Sequence, residues 1–381
     1  MSSEARPLVA VLGGGQLGRM LAQAGGRIGV DCRLLVSDPE APAWGVAPVI
    51  TAAWDDEDAL RRLAEGATVA TWEVEHVPLG TVVLLSRLLP MHPAASVLAT
   101  VQDRALQKRL LDILGLATAP WSAPTDVESC REAAARYGLP LVAKARLGGY
   151  DGKGQRILRS DADVVEAWNQ RGPHGIILER FIDFTDECSI VSVRGRNGEI
   201  RHWPVVENRH RDGILTATLA PHPAWTPGLQ TRAEAIASAL LRHVDYVGVL
   251  AVEMFRKGET LVINELAPRV HNSGHWTIEG AACSQFENHL RAILGRPLGD
   301  TAACGHAAMV NCLGSMPDAR LTEGLGVHRH DYRKQARPGR KVGHLTVVGA
   351  TAAERDERLA ALQQRLSPQV TPASPSPAAG R

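Results

Sequence analysis

Short apolar runs alternate with amphipathic stretches through the first hundred residues. Leu8 to Leu12 is wholly apolar and ends in Gly13-Gly14-Gly15. Gln16 to Arg27 then reads as a helix, and Cys32 to Val36 is a second apolar run closed by Ser37-Asp38-Pro39. Asp55 to Glu65 reads as a polar helix and Thr68 to Trp72 as another strand. This strand–helix–strand rhythm predicts a parallel sheet with helices on its faces. A helix is expected from about Asp103 to Leu114, closed by Gly115, before Pro120 to Pro124 breaks the pattern.

From Leu139 the rhythm changes. Strands are expected at Leu141 to Lys144, Gly175 to Glu179, Cys188 to Val193 and Ile200 to Val206, with little helix between them. That is an antiparallel α+β pattern. Arg232 to Val244 has apolar positions at helical spacing. Val247 to Phe255 and Thr260 to Leu266 read as strands around Lys257-Gly258. Further short strands follow Gly305, and a last helix is expected near Ala352 to Leu366. Ser367 to Arg381 holds four prolines and little apolar bulk, so a disordered tail is expected there. No internal repeat is visible.

Composition narrows the picture. At 381 residues, 45% of them hydrophobic, the chain has room for two to three domains with sizeable cores. The 42 basic and 41 acidic residues sum to a formal net charge of +1. That argues against a blanket nucleic-acid binder or a polybasic membrane protein, but leaves a local cationic pocket open. The six cysteines are scattered without a C-x-x-C pair, which reads as reduced core thiols in a cytoplasmic protein. The N-terminus does not read as a signal peptide, and no apolar run approaches the 18 or so residues of a membrane span.

Three features carry chemistry. The first is Gly13-x-Gly15-x-x-Gly18 between a strand and a helix, with Asp38 twenty residues beyond Gly18. It satisfies the dinucleotide fingerprint, and equally suits a bare turn or another phosphorylated ligand. The second is VAKARLGGYDGKGQRI at 142–157, with four glycines in seven residues and Lys144 and Lys153 beside and within the loop. Such a hairpin can donate backbone N–H groups to phosphates. It is not a Walker A loop, because Gly154 stands where Ser or Thr would follow the lysine. The third is a pair of carboxylates, Glu253 and Glu265, in otherwise apolar strands. An odd-length loop near Glu259 would set them face to face, where a divalent cation would relieve their repulsion. A two-residue turn at Lys257-Gly258 would put them on opposite faces.

Together these segments resemble the ATP-grasp enzymes, and more narrowly the N5-carboxyaminoimidazole ribonucleotide synthetases of purine biosynthesis. The resemblance spans about Leu8 to Leu366. It is carried by GGGQLGRML at 13–21, GGYDGKGQ at 148–155, HRDGIL at 210–215, NELAPRVHNSGHWT at 264–277 and RPGRKVGH at 337–344. It implies an ATP-grasp fold of mixed α/β and α+β class. An N-terminal Rossmann-like domain would occupy 1–100, the nucleotide-binding and catalytic domain 101–295, and a small β-rich C-terminal domain 296–366.

The implied reaction joins ATP, bicarbonate and 5-aminoimidazole ribonucleotide, giving the carboxylated ribonucleotide, ADP and phosphate through carboxyphosphate. The resemblance implies that Arg104, Lys144, Gly149, Tyr150, Asp151, Gly152, Lys153, Gly154 and Gln155 contact the ATP. Glu179, Arg180, Phe181, Ile182 and Glu187 would hold adenine and ribose, with His210 near the triphosphate. Glu253 and Glu265 would bind Mg²⁺ or Mn²⁺, ordered by Asn264. Gln16, Leu17, Glu73, Tyr150, His271, Asn272 and Ser273 would touch the ribonucleotide, and Arg337, Arg340 and Lys341 its phosphate. Glu75 is a further candidate at the same crevice. Asp151 would accept the amine proton, with Lys153 and Arg269 supplying charge. A homodimer is implied as well. The competing readings are another ATP-grasp ligase or transformylase of purine synthesis, a nicotinamide oxidoreductase and a non-enzymatic nucleotide sensor.

Overall fold

The computed structural model describes residues 6–149, 154–172 and 175–366. Tyr150, Asp151, Gly152, Lys153 and the expected tail lie outside the described residues.

The expected parallel sheet is present. It holds β1 (Leu8–Leu12), β2 (Asp31–Val36), β3 (Val49–Thr51) and β4 (Val69–Trp72) in the order β3-β2-β1-β4. Val9 through Leu12 are fully buried because helices cover both faces, which explains the unbroken apolar run. The helix at Gln16–Arg27 falls where the sequence places it. Those at Leu79–Ser86 and Ala95–Gln102 were not legible; the first is apolar almost all round and shows no period.

A second, antiparallel sheet contains β5 (Trp121–Ser122), β6 (Leu141–Ala145), β7 (Gln155–Leu158) and β8 (Ile176–Arg180), in the order β5-β8-β6-β7. Two helices pack on it, Val127–Tyr137 and Asp161–Arg171. The second corrects the expectation of little helix beyond Leu139. Both carry readable signals: capping boxes at Asp126/Ser129 and Ser160/Asp163, and left-handed stops at Gly138 and Gly172.

The largest sheet comprises β9 (Asp186–Arg194), β10 (Ile200–His202), β11 (Val206–Arg211), β12 (Ile214–Ala220), β13 (Gly248–Lys257), β14 (Thr260–Ala267), β15 (His306–Leu313), β16 (Val327–Asp331) and β17 (Lys341–Gly349). Its order among the described residues is β14-β13-β9-β11-β12-β15-β17-β16, with β10 on β9. The expected strand at 200–206 is broken after His202, where the chain turns through Trp203-Pro204. β12 pairs with β15, so the C-terminal strands extend the central sheet. The last helix, Ala352–Leu366, buries Arg355, Leu359 and Leu362 on it.

One apolar cluster joins Val9, Leu17 and Met20 of the first layer to Val191, Val249, Phe286 and Leu290. The buried Thr71 hydroxyl meets His289 Nε2 at 2.9 Å across the same seam. The crevice between the parallel sheet and the central sheet is therefore walled by packed elements.

The β13–β14 hairpin has neither expected turn, yet it reaches the expected face-to-face pairing of Glu253 and Glu265. Its two-residue turn is Gly258-Glu259, with Gly258 in the left-handed region at φ +57. That register alone would set Glu253 opposite Asn264. A bulge at Asn264 shifts the pairing, so Glu253 faces Glu265 directly.

Candidate active site

The helix Arg104–Ile113 starts at Asp103, whose carboxylate accepts from the Ala105 N–H at 2.9 Å and from Arg146 Nε and Nη2, each at 2.7 Å. Burial alone would raise the Asp103 pKa, but the Arg146 fork and the capping N–H hold it below its usual value. Replacing Asp103 with alanine should cost about 2–3 kcal/mol, since it removes a cap and a bidentate pair. Chemical denaturation at neutral pH measures this. The contribution is fully present above the unfolded carboxyl pKa of about 3.9 and is lost as pH falls below it, because the folded-state value is the lower.

One turn of this helix presents two cations, Arg104 to the central sheet and Lys108 to the second. Arg104 Nη1 lies 3.1 Å from Glu265 Oε2, and its Nη2 donates to the Gly149 carbonyl at 3.3 Å. Lys108 is almost fully buried and lies 3.4 Å from Glu179 Oε2. Burial lowers its pKa to about 8, against the pull of Glu179. Lys144 approaches the same Glu179 oxygen at 3.0 Å and donates to Asn264 Oδ1 at 2.8 Å. The two lysines outweigh burial and keep the Glu179 carboxyl below its usual value. Glu179 Oε1 is buried without a hydrogen-bond partner among the described residues. Lys108 escaped the sequence reading, although its spacing of four from Arg104 puts both on one helix face.

Lys144, Glu179, Asn264 and Glu265 line a cavity of about 590 Å³ between the second and central sheets. Arg180, Phe181, Ile182, Glu187, His210 and Gln155 line it too, as the sequence reading expects. Phe184 and Phe255 stack at 4.6 Å and add apolar wall, with Val142 and Ile157 opposite. His210 Nδ1 lies 3.2 Å from Glu187 Oε1. Such a cleft, flat and apolar at one end and charged at the other, suits an aromatic base bearing phosphates.

A smaller cavity of about 310 Å³ opens towards the parallel sheet. Gln16, Leu17, Glu73, Glu75, Arg269 and Gly149 line it. Glu253, Glu265, His271, Asn272 and Lys341 line both cavities, so the facing carboxylates mark the seam. His271 Nε2 lies 3.1 Å from Glu253 Oε1. Burial would raise the Glu253 pKa, but His271, His210 and Lys341 together hold it at about 2. Arg269 pairs with Glu75 at 2.9 Å.

Ser273 is placed behind the His271 ring, fully buried, 2.9 Å from its Nδ1 and in a chain running through Ser189, Asn208 and Thr218. The Asn272 side chain exchanges hydrogen bonds with Asn311 at 3.1 and 2.6 Å. An asparagine in a strand gave no signal of that role. Arg337 and Arg340 lie on the loop before β17, donating to Gln335 at 3.4 and 3.3 Å, apart from the residues lining these cavities.

The first glycine loop has a different occupant from a pyrophosphate. The Gly15 N–H donates to Glu73 Oε1 at 2.7 Å. A Cβ on Gly13, which sits at φ +103, would lie 2.6 Å from that oxygen. Burial raises the Glu73 pKa, against the Gly15 N–H and Arg269. The chain's own carboxylate fills the anion site, and Asp38 is spent on the Glu40 N–H at 2.9 Å. The nicotinamide reading therefore loses both its phosphate cradle and its ribose acceptor.

Three family models match in chain order. They are the ribonucleotide synthetase preATP-grasp domain over residues 7–102, the ATP-grasp domain over 109–286 and the phosphoribosylaminoimidazole carboxylase C-terminal domain over 307–358. N5-carboxyaminoimidazole ribonucleotide synthase of Pseudomonas aeruginosa is 45% identical, with 93% of this chain and 98% of that protein aligned. The chain belongs to the N5-carboxyaminoimidazole ribonucleotide synthase family. A second synthase, from Mycobacterium bovis, is 39% identical over 92% of this chain and 86% of its own. The crystal structure of the synthetase from Thermus thermophilus superposes with a TM-score of 0.90 at 46% identity, covering 94% of this chain and 98% of that one. The Aspergillus clavatus synthase in complex with ADP and 5-aminoimidazole ribonucleotide has a TM-score of 0.87 at 29% identity, covering 95% and 98%. The ATP-grasp fold and the ligase class follow from this membership.

Proposed function

We propose that this chain carboxylates 5-aminoimidazole ribonucleotide with bicarbonate, converting ATP to ADP and phosphate. The observation that carries this is the seam: Glu253 and Glu265 line both the large cleft and the smaller cavity. ATP occupies the cleft, with adenine between the apolar walls and its phosphates towards the seam. Glu179 Oε1, buried and without a partner among the described residues, accepts from a donor on the base edge. Lys144 and the 149–155 segment, with Lys153, hold the phosphates. The ribonucleotide enters the smaller cavity, with Gln16, Glu73 and Asn272 around its ring and ribose. Arg337 and Arg340 close on its phosphate from the loop beside Lys341. Bicarbonate lies between the two substrates, near His271 and Arg269.

The donor set fits a hard divalent cation: two carboxylates in direct register, with a flanking amide oxygen. Glu253 and Glu265 would hold magnesium or manganese there together with substrate phosphates, and the cation would supply neutralisation of charge on the transferring phosphoryl group. Every other element is positioning. A bicarbonate oxygen bonds to the γ-phosphorus as ADP leaves. The exocyclic amine then bonds to carbon, phosphate leaves, and the amine proton passes to Asp151. Excluding water preserves the mixed anhydride, which the walled crevice favours.

The same reading divides the chain at 1–100, 101–295 and 296–366. It also includes a homodimer and a cytoplasmic location. No helix among the described residues is long and apolar enough to cross a membrane.

A coupled ADP-release assay with each substrate omitted in turn tests the function. ADP release is expected only when ATP, bicarbonate and ribonucleotide are all present. Release that ignores bicarbonate would contradict the reading, and release with glycinamide ribonucleotide instead would favour another purine ligase.

A further inference from the structure

The segment after the 271–273 turn carries polar groups that the chemistry above leaves idle. His275 and His344 are fully buried, with ring centroids 5.0 Å apart. His344 stacks on His330 at 4.3 Å and 9°, and its Nδ1 meets the Tyr332 hydroxyl at 2.7 Å. His330 Nε2 in turn lies 2.7 Å from Glu279 Oε1. On the other side, Gln285 Oε1 accepts from the His271 N–H at 2.8 Å, while its Nε2 donates to the His271 carbonyl at 2.6 Å. Those two backbone bonds fix the orientation of the amide. The same Nε2 is 3.2 Å from His275 Nδ1, so that nitrogen accepts and the neutral ring carries its proton on Nε2.

The cluster is more than filler. Nε2 of His275 and of His344 are both buried without a partner among the described residues, a cost that two phenyl rings would avoid. Burial pushes both imidazoles well below their ordinary pKa and keeps them neutral. Glycine permits the close approach on each side: a Cβ on Gly274 would lie 2.5 Å from Gln285 Oε1, and one on Gly343 2.5 Å from the His330 carbonyl. The contacts run from His271 through Gln285 and His275 to His344, three residues beyond Lys341 on β17.

We propose that His275 and His344 are positioning residues that lock the 271–273 turn to the strand beginning at Lys341, setting His271 and Lys341 across the smaller cavity. The inference rests on the reading of that cavity as the ribonucleotide side. Its signature is a larger effect on ribonucleotide than on ATP: His271 and Lys341 line both cavities, but Lys144, Glu179 and the apolar walls of the large cleft lie outside the stack.

The test compares the full-length wild type with His344→Phe and Tyr332→Phe. ATP–Mg²⁺ affinity is read by direct titration, and turnover is read against ribonucleotide concentration. His344→Phe should keep its melting temperature and ATP affinity while the KM for ribonucleotide rises about tenfold, the scale of one lost hydrogen bond. Tyr332→Phe should move the same constant in the same direction by less. An unchanged KM in folded His344→Phe, or equal losses for ATP and ribonucleotide, would overturn the proposal. If His344→Phe does not fold, Tyr332→Phe, which keeps the ring, decides on the same split. Bicarbonate-independent turnover by the wild type would instead overturn the reading of the cavity, and the inference with it.

Discussion

Glu265→Gln should lower turnover by about 100-fold or more while leaving the fold intact, the scale expected when a metal's charged ligand is lost. The carboxylate faces Glu253 across the hairpin and lines both cavities. Glutamine keeps the volume and one acceptor oxygen, so packing against Arg104 survives. What disappears is one of two negative charges at the point where the phosphoryl group would be transferred. Arg104 then sits 3.1 Å from a neutral amide and loses its charge partner. That pair is partly exposed, so the stability loss should stay near 1 kcal/mol. Kinetics over a series of Mg²⁺ concentrations check the metal role: turnover should recover in part as the cation is raised. Wild-type turnover at low Mg²⁺ would contradict it.

The same hairpin shows how far the sequence could be read. Two glutamates in apolar strands were conspicuous, and so was the chemistry they suggest. Their register was not, because it depends on one bulged residue. The turn at Gly258-Glu259 gives the wrong pairing until Asn264 is squeezed out of the ladder. Nothing local in VINELA announces a bulge, since its benefit is tertiary: the displaced Asn264 offers Oδ1 to Lys144 on another sheet. Helices at Gln16–Arg27 and Ala352–Leu366 were legible to the residue because their apolar stripes match their exposure. Leu79–Ser86 was not, because an evenly apolar segment has no stripe.

The first glycine loop went the other way. Its spacing satisfies a dinucleotide fingerprint, and the fold around it is the right one. Only the position of Glu73, 58 residues beyond Gly15, reveals that the cradle is filled from within the chain. A motif reports what backbone geometry permits. Which anion takes the site is settled by residues far along the chain. The positioning residues Lys108 and Asn311 were invisible for the same reason: each acts through a partner on a different element.

Lys144→Met should raise the KM for ATP by roughly 30–100-fold, the equivalent of about 2–3 kcal/mol for a lost charge-assisted contact. The KM for ribonucleotide should change little, because Lys144 lines only the larger cavity of the two. Lys144 holds the buried Glu179 carboxylate together with Lys108, so its removal also leaves that carboxylate with one cation instead of two. The fold should survive, since Lys108 remains 3.4 Å away. The acid limb of stability should nevertheless move to higher pH. In the wild type the folded-state pKa of Glu179 lies below the unfolded value, so its stabilisation is present above that value and lost on acidification. With one lysine gone, burial pulls the folded-state pKa upwards and the loss begins earlier. Lys108→Met separates the two roles: it should reproduce the acid shift with a smaller effect on ATP. Equal changes in both Michaelis constants for Lys144→Met would contradict the assignment of the large cleft to ATP.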